Sequence, residues 1–565
     1  MDRASQYAPR AGHVRVLLTL VALLPVMSGC AGMQDYFKNG FKVGPSYGPP
    51  QADVAKHWID ADDPQHRVRS DSPDLSHWWT AFNDPVLNDL ICDAYRQNLT
   101  LKQAGMRVLE AQASLAYARG NFFPQTQQVT GGYERVGTPV DPNSPPVVNR
   151  FFNQFSYGLN LSWQLDFWGL YRRSIEAADD FLCQKVELYD AALVMLLGQV
   201  ATNYITVREA QQEIEVIKAN AKLQRGVVEI IKVRLAAGTV TELDVAQAET
   251  TLSQLEAQIP QFEITRRLAE DQLCILMGMP PADLHQRLGT APIPAAAPEV
   301  VVGIPAELLS RRPDVRAAQF LAAAAAEQIG INATQFYPLV SLNGTLDYQA
   351  QRFSDLFKST AFGGSVGPSF QWNILNYGRI LANVHLADAT FRDNLLGYCN
   401  TVLTAHQQVE DSIVAFLQQQ EREKTLAKGT VAAEKAVEIV IEQYRVGQKA
   451  VDFNRVAIVE QALAQQQQLL ADARGQIALA LVNVYQNLGG GWQIRLVPQE
   501  GQPKALPPSA AKPPQMIPAP EAPELFGPPA AGVAPPDKKA LPVIPEPVVA
   551  PAPVPNPKPD RKPLP

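Results

Sequence analysis

The chain has 565 residues, 19% of them charged, with a net charge of -7 and a pI near 5.7. Such a balance supplies no basic field for attracting DNA or RNA, so nucleic acid is excluded as an expected partner. Five cysteines at positions 30, 92, 183, 274 and 399 are too far apart for CxxC-type pairs and offer no disulfide framework; four are expected as small buried residues on helices, and Cys30 stands apart.

The N-terminus reads as an export signal over residues 1–29. Arg10, His13 and Arg15 precede an apolar run from Val16 to Met27 that is too short to span a bilayer. Met27-Ser28-Gly29-Cys30 resembles a bacterial lipobox, in which cleavage before the cysteine leaves Cys30 as the site of lipid attachment, with Met27 in place of the usual Leu. An ordinary signal peptide followed by a free cysteine is the alternative. Two or more acyl chains give durable anchoring, whereas one gives marginal binding.

From there the body repeats itself, a pattern to be examined before any single element. Asn121-Phe122-Phe123-Pro124 returns as Gln335-Phe336-Tyr337-Pro338, while Gly169 and Gly238 return as Gly378 and Gly447, both 209 positions later. The expected organisation is an N-terminal segment and belt over 30–84, a first repeat over 85–279, a belt linker over 280–312, a second repeat over 313–492 and a proline-rich tail over 493–565.

Each repeat opens with two strands. Tyr157, Leu159, Leu161, Trp163 and Leu165 alternate with polar or small residues, and the segment 362–374 does the same, the period of a strand with one apolar face. Their partners are expected at 125–136 and 339–350, making two hairpins with strands near 155–166 and 362–374. Strands of about ten residues with terminal aromatics suit a membrane β-barrel, though half-buried soluble hairpins fit the alternation too. Pro368 is out of place in a central strand unless a bulge accommodates it. Four strands cannot close a barrel, so a lipid-spanning sheet implies several copies pooling their strands.

Long helices follow: 170–236 and 241–277, then 378–445 and 450–488. The stretch from Leu170 to Leu235 lacks proline and would reach roughly 100 Å at 1.5 Å per residue. Leu193, Leu197, Val200, Tyr204, Val207 and Ile214 step by fours and threes as a coiled-coil seam interrupted at Gln211. The second repeat aligns Val402, His406, Val409, Ile413, Phe416 and Gln420 with this seam. Gly238 and Gly447 are expected as left-handed helix ends, with a capping box from Thr239 to Glu242. The tail is compositionally disordered.

No phosphate loop, HExxH helix or metal-spaced Cys/His cluster occurs, so no cofactor or metal is expected. Gly363-Gly364-Ser365-Val366-Gly367 matches the nucleophile-elbow pattern, but it sits inside an alternating strand rather than before a helix. No catalytic residue is expected.

The chain resembles the TolC-like outer-membrane efflux channels, in the NodT-like lipoprotein branch that serves resistance-nodulation-division pumps. The resemblance runs from about Cys30 to Trp492. It is carried by Val43-Gly44-Pro45-Ser46-Tyr47, Trp78-Trp79-Thr80-Ala81-Phe82-Asn83-Asp84-Pro85, Leu165-Asp166-Phe167-Trp168-Gly169, Arg311-Arg312-Pro313-Asp314-Val315 and the helix turns at 234–244 and 444–452. It implies an α+β membrane protein: a homotrimer with a shared 12-stranded barrel, four strands per protomer, continued by a long periplasmic α-helical coiled-coil barrel. It further implies a periplasmic adaptor protein, an inner-membrane resistance-nodulation-division transporter and outer-membrane lipid as partners. The turns at Gly238 and Gly447 would close the periplasmic aperture, with Asp244, Asp452, Tyr444 and Lys449 as gate residues. Asp near a helix start and Lys near a helix end also complement the helix dipole, a second account of the same residues. The function implied is the exit duct of a tripartite efflux pump. A duct for type I protein secretion and a periplasmic coiled-coil scaffold are the rival readings, separable by drug tolerance and by solubility without detergent.

Overall fold

The computed structural model describes residues 36–48, 54–61, 63–65, 67–69, 71, 74–137, 151–307, 311–446 and 452–496. The export signal, Cys30, Gly447, Lys449 and the proline-rich tail from residue 497 lie outside the described residues. All described residues belong to one compact unit within 1–497.

A two-residue strand β1 (Val68–Arg69) leads to helices α1 (Pro85–Gln97) and α2 (Leu99–Gly120). Asp84 starts α1 because its carboxylate accepts from the backbone N–H groups of Val86 and Leu87, ahead of Pro85 in the first turn. Asn98 starts α2 in the same way through Leu101 N–H, 2.8 Å away, while its amide donates to Leu276 O. Next come strands β2 (Thr126–Gly137) and β3 (Phe151–Leu165), then helices α3 (Leu170–Ala236), α4 (Glu242–Leu276) and the single turn α5 (His285–Leu288). Strand β4 (Val300–Val301), helix α6 (Pro313–Ala333), strands β5 (Leu339–Ala350) and β6 (Phe362–Gln371), and helices α7 (Arg379–Val446) and α8 (Phe453–Asn487) complete the order.

The four long strands form one antiparallel sheet in the order β2-β3-β5-β6. Its register sets Val129, Leu159, Leu346 and Gly364 in one row and Gly131, Tyr157, Tyr348 and Phe362 in another. The intervening rows are polar, with Gln128, Asn160, Thr345 and Ser365 side by side. One face is therefore apolar and the other hydrophilic, as a period of two requires. The apolar face is exposed in the protomer: Val129 is 66% accessible, Val366 78% and Phe370 75%. β2 and β6 are the two edges. Pro368 lies on β6 in unbroken register with Leu342, tolerated at an edge where no bulge is needed. β6 ends at Gln371, so Trp372, Asn373 and Ile374 fall beyond the ladder.

Helices α3 and α7 are 67 and 68 residues long, which at 1.5 Å per residue is about 100 Å each. α3 packs along α4 and against α2, α6 and α8; α7 packs along α8 and α6. The seam residues Leu193, Leu197, Val200, Tyr204 and Val207 are fully buried, as are Val409, Ile413 and Phe416. The largest apolar cluster joins this seam to Trp58, Trp78, Trp79 and Phe82 and to the end of α8 at Leu481 and Leu488. Both seam glutamines reach linker carbonyls: Gln211 donates to Gly289 O at 2.9 Å and Gln420 to Pro298 O at 3.2 Å. The polar interruption thus ties the helices to the segment that crosses them. α4 carries Pro260 in its interior, where the ring removes one backbone donor.

Two expectations are corrected. Among Cys92, Cys183, Cys274 and Cys399, all on helices, only Cys274 is buried; Cys92 is exposed and the others are intermediate. Helices in thin layers have little interior, so one face meets the core and the rest does not. The capping box is also displaced. Thr239 Oγ1 bonds back to Arg234 O at the end of α3, and the box forms instead between Thr241 and Asp244.

The junction between sheet and helices shows what the family-like motifs do. Asp166 accepts from the backbone of Tyr171 and Arg172 and from the Arg172 guanidinium, fixing the start of α3. Trp168 donates to Pro338 O and stacks on Tyr337, which brings the first repeat's junction against the second's. Gly44 adopts φ +93° with its Cα face against Gly330 of α6, and a Cβ there would stand 2.6 Å from Gly330 Cα. The buried Arg173 guanidinium crosses this contact, donating to Val43 O, Gly44 O, Pro45 O and Glu327. Backbone meets backbone, so neither side can yield. Gly44→Ala is expected to cost about 2 kcal/mol or more in stability, from the strained φ and the clash together, measured as a lowered melting temperature; Gly40→Ala, facing open space at a similar φ, should cost only the strain.

Candidate functional site: the helix turns

The ends of α3 and α7 and the starts of α4 and α8 meet in a small apolar cluster of Val227, Val228, Ile231, Ala248, Val440, Tyr444, Phe453 and Val456. α3 ends in a left-handed residue, Gly238 at φ +72°, with Thr239 N–H reaching back to Arg234 O at 3.0 Å. This reversal places Arg234 over the end of the neighbouring hairpin.

Four charged or polar groups gather there. The Arg234 guanidinium lies 4.3 Å from the Tyr444 ring centre and donates to Tyr444 O at 3.0 Å. Tyr444 is buried, and its hydroxyl has no hydrogen-bond partner among the described residues. Burial raises its pKa, Arg234 opposes the rise, and Asp244 and Asp452 add to it, so the phenol is neutral at physiological pH. Asp244 accepts from both the backbone N–H and the hydroxyl of Thr241 at 2.8 Å, inside the capping box. Asp452 caps α8 by accepting from Arg455 N–H at 3.0 Å. The structure therefore brings Tyr444, Asp244 and Asp452 together at one end of the helices, with each aspartate occupied as a helix cap in the protomer. Gly447 and Lys449 lie outside the described residues. Arg234 is the member that sequence reading missed. It was visible only as part of the repeated turn, since its partner is 210 positions away.

Further along the helices, Glu209 and Glu213 of α3 face Asp472 of α8, which pairs with Arg422 at 2.8 Å. Burial first, then the neighbouring carboxylates, push Glu209 up to about 7 and Glu213 up to about 8. Ser365, the only residue with a nucleophile-like setting in the sequence, stands in mid-strand with its Oγ 2.9 Å from Thr345 Oγ1. A strand position with a hydroxyl neighbour supplies neither base nor oxyanion donors. Among the described residues no group of three or more His, Cys, Asp or Glu side chains is placed to hold a metal.

A four-stranded sheet with one exposed apolar face is thus joined to two helices of about 100 Å, each packed along a 35-residue partner, with α3 ending in a tight turn at Gly238. A model of the outer membrane efflux protein family matches residues 90–279 and 304–490. Nodulation protein T of Rhizobium leguminosarum bv. viciae is 28% identical over 455 residues, covering 80% of this chain and 90% of that protein. The pyoverdine export outer membrane protein OpmQ of Pseudomonas aeruginosa is 30% identical over 448 residues, covering 75% and 89%. Among solved structures, the outer-membrane channel OprN superposes with a TM-score of 0.74 at 29% identity, covering 80% of this chain and 99% of that one. The chain belongs to the outer membrane efflux protein family, in its nodulation protein T-like branch. Its function is that of an efflux duct at the outer membrane.

Two measurements probe the site's electrostatics. Arg234→Ala is expected to remove about 2 kcal/mol of local stability, one charged hydrogen bond plus one cation–π contact, read as faster amide exchange in the last turns of α7 with α6 unaffected. For the buried carboxyls, the folded pKa lies above the unfolded one, so their stabilising protonation is lost as pH rises. Stability, read as the melting temperature, should therefore fall from about pH 5 up to pH 7 for Glu209 and pH 8 for Glu213 and level off above, each group costing up to about 1.4 kcal/mol per unit of pH inside its window. Glu213→Gln should flatten that dependence; an unaltered slope would assign it elsewhere.

Proposed function

We propose that three copies of this chain assemble into a passive, gated duct, each giving four strands to a shared 12-stranded barrel in the outer membrane. The observation that carries the reading is the sheet itself: its apolar face is uncovered, and both β2 and β6 have an unpaired edge. In lipid every backbone N–H and C=O must find a partner, which a four-stranded sheet satisfies only by closing with other copies. Strands of 12, 15, 12 and 10 residues are long enough to cross the hydrocarbon at a tilt. Helices α3, α4, α7 and α8 then build the periplasmic coiled-coil barrel. The paired lengths of α3 with α7, and of α4 with α8 at 35 residues each, support descent from one duplicated unit.

In this reading Cys30 carries the acyl chains that anchor the N-terminal segment. The turns at Gly238 and Gly447 face the inner membrane and form the periplasmic gate. Tyr444 is fixed by Arg234 within the protomer, and Asp244, Asp452 and Lys449 supply contacts between neighbouring protomers. A periplasmic adaptor and an inner-membrane resistance-nodulation-division transporter complete the pump. The adaptor opens the gate by binding the open packing more tightly than the closed one. The duct performs no chemistry and needs no cofactor; the energy for transport comes from the transporter. OpmQ, named for pyoverdine export, points to small secreted molecules as the exported class.

Purified mature protein is expected to run as a trimer in detergent and to give discrete, mostly closed channels in planar bilayers. Asp244→Ala combined with Lys449→Ala should raise the open conductance severalfold. A monomer without conductance would overturn the duct. Trimeric channels indifferent to both substitutions would overturn the gate alone.

A further inference from the structure

Midway between the seam and the turns, α3, α4 and α8 line a half-open cleft of about 400 Å³. Seven of its lining side chains are glutamines, and one end is closed where Gln468 donates to Gln258 at 2.6 Å across the α8–α4 contact. Glu460 faces this space. It is 7% exposed, and neither of its carboxylate oxygens has a hydrogen-bond partner among the described residues. Asn220 of α3, 8% exposed, also lines the cavity with its amide nitrogen unpartnered. A buried carboxylate without a partner is costly enough that a native site normally supplies one. The helices do not: no described cation pairs with Glu460, and the cations Arg225 and Lys232 of α3 are engaged with Glu256 and Glu249. Among the described residues, Glu460 is the one titratable side chain in the lining, so α3 and α4 turn only amides, Thr251 and aliphatic groups toward it.

We propose that this cavity is a binding site for a small primary alkylammonium ion, whose ammonium group pairs with Glu460. A single carboxylate balances a single positive charge, whereas a divalent metal calls for several hard anionic ligands. The remaining N–H donors of an ammonium find acceptors in the glutamine carbonyls and in Asn220, whose amide presents oxygen instead of nitrogen after a half-turn. The volume exceeds by far the roughly 30 Å³ that a water-sized occupant fills. Leu223, Leu255 and Ile458 give it an aliphatic wall for a short alkyl chain. Because burial alone pushes Glu460 up to about 7, protonation competes with the ligand in the neutral range. Affinity rises with pH up to about 8 and then levels.

The full-length protein in detergent, titrated calorimetrically with butylammonium chloride at constant ionic strength, tests this. Binding should be about tenfold tighter at pH 8 than at pH 6, since each pH unit below the carboxyl pKa costs a factor of ten. Glu460→Gln should lose at least tenfold at pH 8 while keeping the wild-type melting temperature or raising it. Leu255→Gln, which leaves the carboxylate and shortens only the aliphatic wall, should weaken butylammonium more than methylammonium. Equal heats from potassium chloride, binding unchanged in Glu460→Gln, or no saturable heat at all would each overturn the site.

Discussion

Unpaired backbone at the two sheet edges is the constraint on which the rest of the structure depends. A soluble protein blunts such edges with charge, short strands or a covering helix. Here β2 and β6 are long, at 12 and 10 residues, and β6 carries no charged side chain. The sheet also turns its apolar rows outward instead of onto a core. Both features are liabilities in water and requirements in lipid. The helical part answers a different demand: it extends far along one direction, and its burial is concentrated where the seam of α3 and α7 meets the Trp78–Trp79 cluster and the end of α8.

The connection between the two parts is rigid because its backbone is locked from several directions. Asp166 and Gly169 start α3, Trp168 reaches the second repeat, and Gly44 is pressed against Gly330 under Arg173. Arg312 does the same at the lower level, holding Asp314, Asn487 O and Gln408 at once. The family-like strings of tryptophan, proline, arginine and glycine are thus fasteners, and their removal would loosen the joint.

The sequence made the local pattern legible. Alternation from Ser156 to Leu165 gave a strand face, and the steps of four and three from Leu193 to Ile214 gave a buried seam, because each depends on neighbours a few residues away. What it could not supply were contacts across the repeat. Arg234 on Tyr444 and Gly44 on Gly330 join positions hundreds of residues apart, and nothing in either local string announces its partner. The capping box went to Thr241 because Thr239 was already used in ending α3, a competition between two helix ends that spacing alone cannot decide. Glu460 was similarly silent: a lone glutamate among glutamines reads as a solvated helix face until three helices close around it.

The hydrophilic face of the sheet carries a further implication. Its rows are Gln, Thr, Asn, Ser and Gly, cross-linked by short bonds such as Asn343 to Ser162 and Ser369, with Glu134 and Asp347 as its few acidic side chains. In the proposed barrel this face would line the lumen, where Glu134 and Asp347 of each protomer give a mildly negative field and Val136 with Phe152 the one apolar row at the strand ends. Such a wall would favour cations slightly and grip no solute, so discrimination among cargoes would fall to the components upstream of the conduit.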